Sequence, residues 1–139
     1  MRRSFLLLAV AASIAPRFVA AQQAPKPTRV VVQVSEADPA RWSLALNNVK
    51  NLQDDLGAAN VTIEIVAYGP GIAMLKLDAT TNSRISEAIR NGVAVQACEN
   101  TMRNQKLVLA DMHPTVTYVP AGVVQIVKRQ QQGWAYLRP

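Results

Sequence analysis

The stretch Val93-Ala94-Val95-Gln96-Ala97-Cys98-Glu99-Asn100-Thr101-Met102 reads as a short buried strand that runs directly into the first turn of a helix. It places the single cysteine of the chain at the junction. A thiol there meets the free N–H groups and partial positive charge of a helix N-terminus, which favour thiolate over thiol. Segments of the same kind stand on either side. Val30-Val31-Val32 and Val34 form a nearly continuous β-branched run, the mark of a strand covered on both faces in a parallel sheet. Val61 to Tyr68 alternates, then becomes wholly apolar, and stops at Gly69-Pro70-Gly71. Val116 to Val119 makes a fourth strand, and Trp134 to Leu137 a short fifth.

Helical patterns fill the intervals. Asp38-Pro39 supplies an N-cap followed by proline at the first helical position. The helix it starts carries Trp42, Ala45, Val49, Leu52 and Leu56 on one face and is closed by Gly57. A short helix fits Ile72 to Lys76. A second amphipathic helix fits Ser83 to Arg90, with Ile85, Ala88 and Ile89 inward and Asn91-Gly92 at its end. The helix that opens at Glu99 or Asn100 is expected to run to about Asp111. The last, Ala121 to Gln132, is expected to bury Val123, Val124, Ile126 and Val127 and to stop at Gly133. Strands and helices alternating through short links predict an α/β fold, a three-layer α/β/α sandwich with a parallel sheet. In such sheets ligands gather beyond the carboxyl ends of the strands. Those ends are Ser35-Glu36, Tyr68 to Gly71, Cys98-Glu99-Asn100 and Pro120-Ala121-Gly122.

The chain begins with Met1-Arg2-Arg3-Ser4-Phe5-Leu6 and a run of Leu and Ala too short to span a bilayer, the pattern of a secretory signal. Residues 1–21 are expected to be a signal peptide cleaved after Val19-Ala20-Ala21, residues 22–27 a flexible linker with two prolines, and residues 28–139 the domain. Arg2-Arg3-Ser4-Phe5-Leu6 also resembles the twin-arginine pattern, an ordinary basic n-region being the alternative. Either route predicts the periplasm, with no membrane insertion after cleavage. Without residues 1–21 the chain carries 12 basic against 9 acidic side chains. No basic run interleaved with aromatics remains, so nucleic acid is not an expected partner; Lys128-Arg129 read as the solvated end of a helix. A lone cysteine in an oxidising compartment makes no internal disulfide, and about 110 residues suffice for one packed core.

Val66-Ala67-Tyr68-Gly69-Pro70-Gly71-Ile72, Ala97-Cys98-Glu99-Asn100-Thr101-Met102, Val119-Pro120-Ala121-Gly122-Val123-Val124 and Gln132-Gly133-Trp134-Ala135-Tyr136 together resemble the DsrE/DsrF-like family, which includes the sulfur-relay subunit TusD. The resemblance spans residues 28–139 and is to the signal-bearing, single-domain branch. It implies a five-stranded parallel sheet of order 4-3-2-1-5 and assembly into homotrimers or hexamers. It also implies that Cys98, at the end of the third strand, carries sulfane sulfur as a persulfide exchanged with a donor or acceptor protein. Glu99 stands where the family commonly has glycine, and a carboxylate beside a thiol opposes its ionisation.

Around Cys98, the N–H groups of Asn100 and Thr101, the Asn100 side chain, and Arg103 or Lys106 one turn on are candidates to hold a sulfur anion. The turn Gly69, Pro70, Gly71, together with Tyr68, Gly122 and Glu36, is the candidate pocket. Each has a plainer reading: Cys98 as a small buried apolar residue, the glycines as a tight turn, Tyr68 as core. On the plain reading the protein is a non-catalytic assembly or small-ligand-binding module. His113, the one histidine, precedes strand four at the edge of the sheet opposite Cys98, so a role as its base is kept only across a subunit interface. One Cys, one His and scattered carboxylates lack metal-ligand spacing, and no metal or other cofactor is expected. Met102 and Met112 are assigned to packing. Trp134 and Tyr136, two apart on a strand, share a face and are expected to pack on a helix or a neighbouring subunit.

Overall fold

A computed structural model describes residues 24–139. The expected signal peptide, 1–21, lies outside them; residues 24–27 of the expected linker are exposed and without regular structure. The strands are β1 (Thr28–Val34), β2 (Val61–Ala67), β3 (Ala94–Cys98), β4 (Thr117–Val119) and β5 (Ala135–Leu137). The helices are α1 (Pro39–Leu56), α2 (Asn82–Arg90), α3 (Glu99–Asn104) and α4 (Gly122–Gln131), and 3-10 turns occupy Gly69–Leu75 and Leu109–Asp111. All strand pairs are parallel and the sheet order is β4-β3-β2-β1-β5.

Side-chain alternation divides the sheet into two unequal faces. On one, Val30, Val32 and Val34 of β1, Ile63, Ile65 and Ala67 of β2, and Val95 and Ala97 of β3 meet Trp42, Ala45, Leu46 and Val49 of α1 and Ile85 of α2 in the large core. Ile63 and Ile65 are essentially without exposure, and burying each contributes about 1.5–3 kcal/mol. The Asp38 carboxylate accepts from the Ala40 N–H at 2.9 Å, so α1 starts where the Asp-Pro pair places it. On the other face Val31 and Val66 meet only Ile126 of α4, with partly buried Tyr68 and Trp134 at the margins. Glu64 and Cys98 fall on this second face by the same alternation.

Three expectations are corrected. The helix after Cys98 ends at Asn104, and Lys106 takes a left-handed φ of 56°. The chain beyond turns back to pair with the segment after the first 3-10 turn. The Leu77 N–H donates to the Asp111 carbonyl and the His113 N–H to the Leu75 carbonyl, both at 2.8 Å. Val123, Val124 and Val127 of α4 are about half exposed (47–55%), and only Gly122 and Ile126 are buried. The stripe of α4 that faces the sheet is instead taken by Gln125 and Arg129, which bond to Glu64 of β2 and turn these valines outward. Leu56 is likewise exposed, lying at the last turn of α1 beyond the core.

Candidate functional site

Cys98 ends β3 and is the N-cap of α3, with its Sγ accepting the Thr101 N–H at 3.5 Å. A second donor comes from another element: the Gly122 N–H, at the start of α4, reaches the same sulfur at 3.3 Å. The Thr101 hydroxyl accepts the Gly69 N–H at 2.8 Å, so the turn after β2 is tied to the helix that carries the thiol. The ends of β3 and β4 thus meet at the sulfur, and the end of β2 is tied to them through Thr101. Burial pushes the thiol up, since it disfavours the charged form. The Thr101 hydroxyl, then the N–H groups of Gly122, Thr101 and Asn100, more than offset this, and the thiol ionises below its ordinary value.

Two glycines permit this convergence. A Cβ on Gly122 would lie 2.9 Å from the Tyr68 Cβ, so α4 starts flush against Tyr68. A Cβ on Gly71 would lie 2.3 Å from the Val34 carbonyl oxygen. Tyr68 packs on Gly122, and its phenol is held above the ordinary value, chiefly by burial.

Other candidates face elsewhere. The Asn100 side-chain oxygen accepts from Arg103, so the side chain does not serve the sulfur, while its N–H, which does act on the thiol, also donates to the Pro120 carbonyl at 3.2 Å. Arg103 also pairs with Glu99 at 4.0 Å. Glu99 is thereby turned along the outside of α3. Lys106 is exposed beyond the end of α3. Pro70 is exposed on the first 3-10 turn. Glu36 belongs to a separate cluster at the ends of β1 and β5. There its carboxylate, held below the ordinary range mainly by its bond to Arg138, also accepts from Ser35 at 3.2 Å. An open depression on the flank of α3 is lined by Glu99, Met102, Leu107, Val108, Leu109 and Tyr118 and does not include Cys98.

His113 is buried, and its hydrogen bonds define its tautomer. Nδ1 accepts from the Thr115 N–H at 3.3 Å, so Nε2 carries the proton and donates to Ser86 Oγ at 2.7 Å. The Ser86 hydroxyl in turn donates to the Asn82 carbonyl at 3.2 Å. A general base needs the reverse arrangement, so the pair is a packing device and not a nucleophile with its base. Ser86→Ala is expected to cost about 1–2 kcal/mol in urea unfolding through the lost partner of a buried imidazole. Cys98 should keep its wild-type reactivity toward thiol reagents in that variant; a change would mean that the two faces of the sheet are coupled.

Among solved structures, the chain is similar to the protein of unknown function MTH1491 from Methanobacterium thermoautotrophicum. The two are 41% identical over 81% of this chain and 99% of that one, with a TM-score of 0.77. The chain belongs to the MTH1491 family. Two further neighbours show the fold alone. They are the conserved protein of unknown function BT1422 from Bacteroides thetaiotaomicron (12% identity, 80% and 94% coverage, TM-score 0.64) and the ychN protein from E. coli (11%, 81% and 99%, TM-score 0.64). All three structures have the DsrE-like fold, and the sheet order 4-3-2-1-5 implied by the sequence resemblance is the one present. No family model matches the sequence, and no curated protein does.

The MTH1491-type chain also contains a polar cluster that sequence reading passed over. Glu64, in the middle of β2 and 1% exposed, accepts from Gln125 Nε2 and Arg129 Nε of α4, each at 2.6 Å. Arg129 stacks over Trp134 with 4.6 Å from guanidinium to ring centroid. Arg129, expected at a solvated helix end, is therefore a structural cation. The signal was present: one glutamate in a strand otherwise turning apolar, with a glutamine and an arginine four apart on the helix that covers it.

Proposed function

We propose that the protein is an exported sulfane-sulfur carrier in which Cys98 accepts one sulfur atom as a persulfide and passes it on. The observation that carries this reading is the sulfur of Cys98 receiving N–H donors from two different helix starts, Thr101 and Gly122. In the transfer, the Cys98 thiolate attacks the outer sulfur of a donor persulfide. The donor S–S bond breaks, a new S–S bond forms on Cys98, and the donor leaves as its thiolate, with no net oxidation. The same N–H groups hold the inner sulfur, Cys98 Sγ, in place after transfer. Residues 1–21 as an export signal support a periplasmic location. The exposed Val123, Val124 and Val127 of α4 support a homo-oligomer, trimer or hexamer, and a donor or acceptor protein would dock at the carboxyl ends of the strands.

Mass spectrometry after exposure to polysulfide is expected to show the mass of one added sulfur, absent from Cys98→Ser. No adduct on the wild-type protein sinks the proposal. A second reading has its own observation: Cys98 is only 4% exposed. On that reading the protein is a non-catalytic oligomeric module with an inert thiol. It requires the folded protein to resist thiol reagents under conditions in which the unfolded chain is fully labelled.

A further inference from the structure

The two faces of the sheet are held by different forces. Under α1 and α2 the core is broad and apolar, whereas under α4 the buried apolar residues are Val31, Val66 and Ile126. So small a cluster gives α4 little positional definition. The rest comes from a polar clamp, Glu64 against Gln125 and Arg129, in which a buried carboxylate meets an amide and a guanidinium. Salt-bridged buried carboxylates have strict geometry, because any displacement leaves a charge desolvated and unpaired.

Gly122, Gln125 and Arg129 lie three and four apart, on one stripe of α4. The stripe that is clamped to Glu64 at one end presents the Gly122 N–H to Cys98 at the other. We propose that Glu64 is a positioning residue for Cys98: by seating α4 through Gln125 and Arg129, it sets the Gly122 N–H on the sulfur. This rests on reading Cys98 as a working thiolate. The charged side chains of α3, Glu99 and Arg103, pair with each other, and the Glu64 carboxylate is itself paired with Arg129. Glu64 therefore acts through backbone position and not through its charge.

The test is the titration of Cys98 in the full chain, followed by thiolate ultraviolet absorbance with Cys98→Ser as the blank. Gln125→Leu removes one arm of the clamp and keeps the Glu64–Arg129 pair, so it is expected to fold. Arg129→Met removes the other arm but leaves a buried carboxylate unpaired, so Gln125→Leu carries the decision. The midpoint is expected to move to higher pH in Gln125→Leu, and further in Arg129→Met where it folds by circular dichroism. Ser86→Ala, a destabilising change on the opposite face, is expected to leave it in place. A folded Gln125→Leu that titrates as wild type overturns the proposal, as does an equal shift in Ser86→Ala. No sulfur donor enters this measurement. A moved titration in a protein that takes up no sulfur keeps the clamp and discards the carrier reading; an unmoved titration in a protein that does take up sulfur discards the clamp and keeps the carrier reading.

Discussion

Gly71→Ala is expected to cost about 3–5 kcal/mol, the largest stability effect of any single methyl addition at the site. The added Cβ would stand 2.3 Å from the Val34 oxygen, 2.6 Å from its carbon and 2.7 Å from the Ser35 nitrogen. All three are backbone atoms, so no rotamer change can relieve the overlap. The Val34 carbonyl is not free to retreat either, because it accepts the Tyr68 N–H at 3.1 Å and closes β1 onto β2. Relief has to come from lifting the 3-10 turn off the sheet, which withdraws the Gly69 N–H from the Thr101 hydroxyl. The loss should therefore appear twice, as a lower urea midpoint with unchanged slope and as altered titration of Cys98. A cost below about 1 kcal/mol would mean that the turn is not rigidly seated.

That coupling explains what was and was not legible in the sequence. The β-branched run at Val30 to Val34, the Asp38-Pro39 start and the Gly57, Gly92 and Gly133 stops are local signals, and the elements lie where they point. The position of Cys98 at a strand-to-helix junction is local too. Failures came where the deciding partner is distant in sequence. The end of α3 is dictated by pairing of residues 111–113 with 75–77. The inward stripe of α4 is dictated by Glu64, about sixty positions earlier on β2. Valines at 123, 124 and 127 outvote Gln125 and Arg129 in any count of hydrophobicity, yet it is the polar pair that faces the sheet. The second donor to Cys98, from Gly122, became visible only once β3 and α4 were placed side by side.

Thr101→Val separates the hydroxyl from the N–H groups that share the sulfur. The variant keeps the branched shape but removes the side chain that contributes most to holding the thiol below its ordinary value. It also leaves the Gly69 N–H without its acceptor, a cost of about 1–3 kcal/mol. Because the Thr101 side chain is the largest influence lowering the thiol, reactivity of Cys98 at neutral pH is expected to fall. The stability of the protein should report the same event with a definite sign. Because the folded thiol ionises below the ordinary value of 9.0, the folded chain binds fewer protons than the unfolded one between the two values. Stability from this group is fully present above the unfolded value and is lost as pH falls through the folded one. The wild type should thus gain stability relative to Cys98→Ser as pH rises toward 9.0, and Thr101→Val should show a flatter gain against its own Cys98→Ser background. If the two gains coincide, the helix-start N–H groups of Thr101 and Gly122 hold the anion unaided and the threonine serves only to tie down the turn at Gly69.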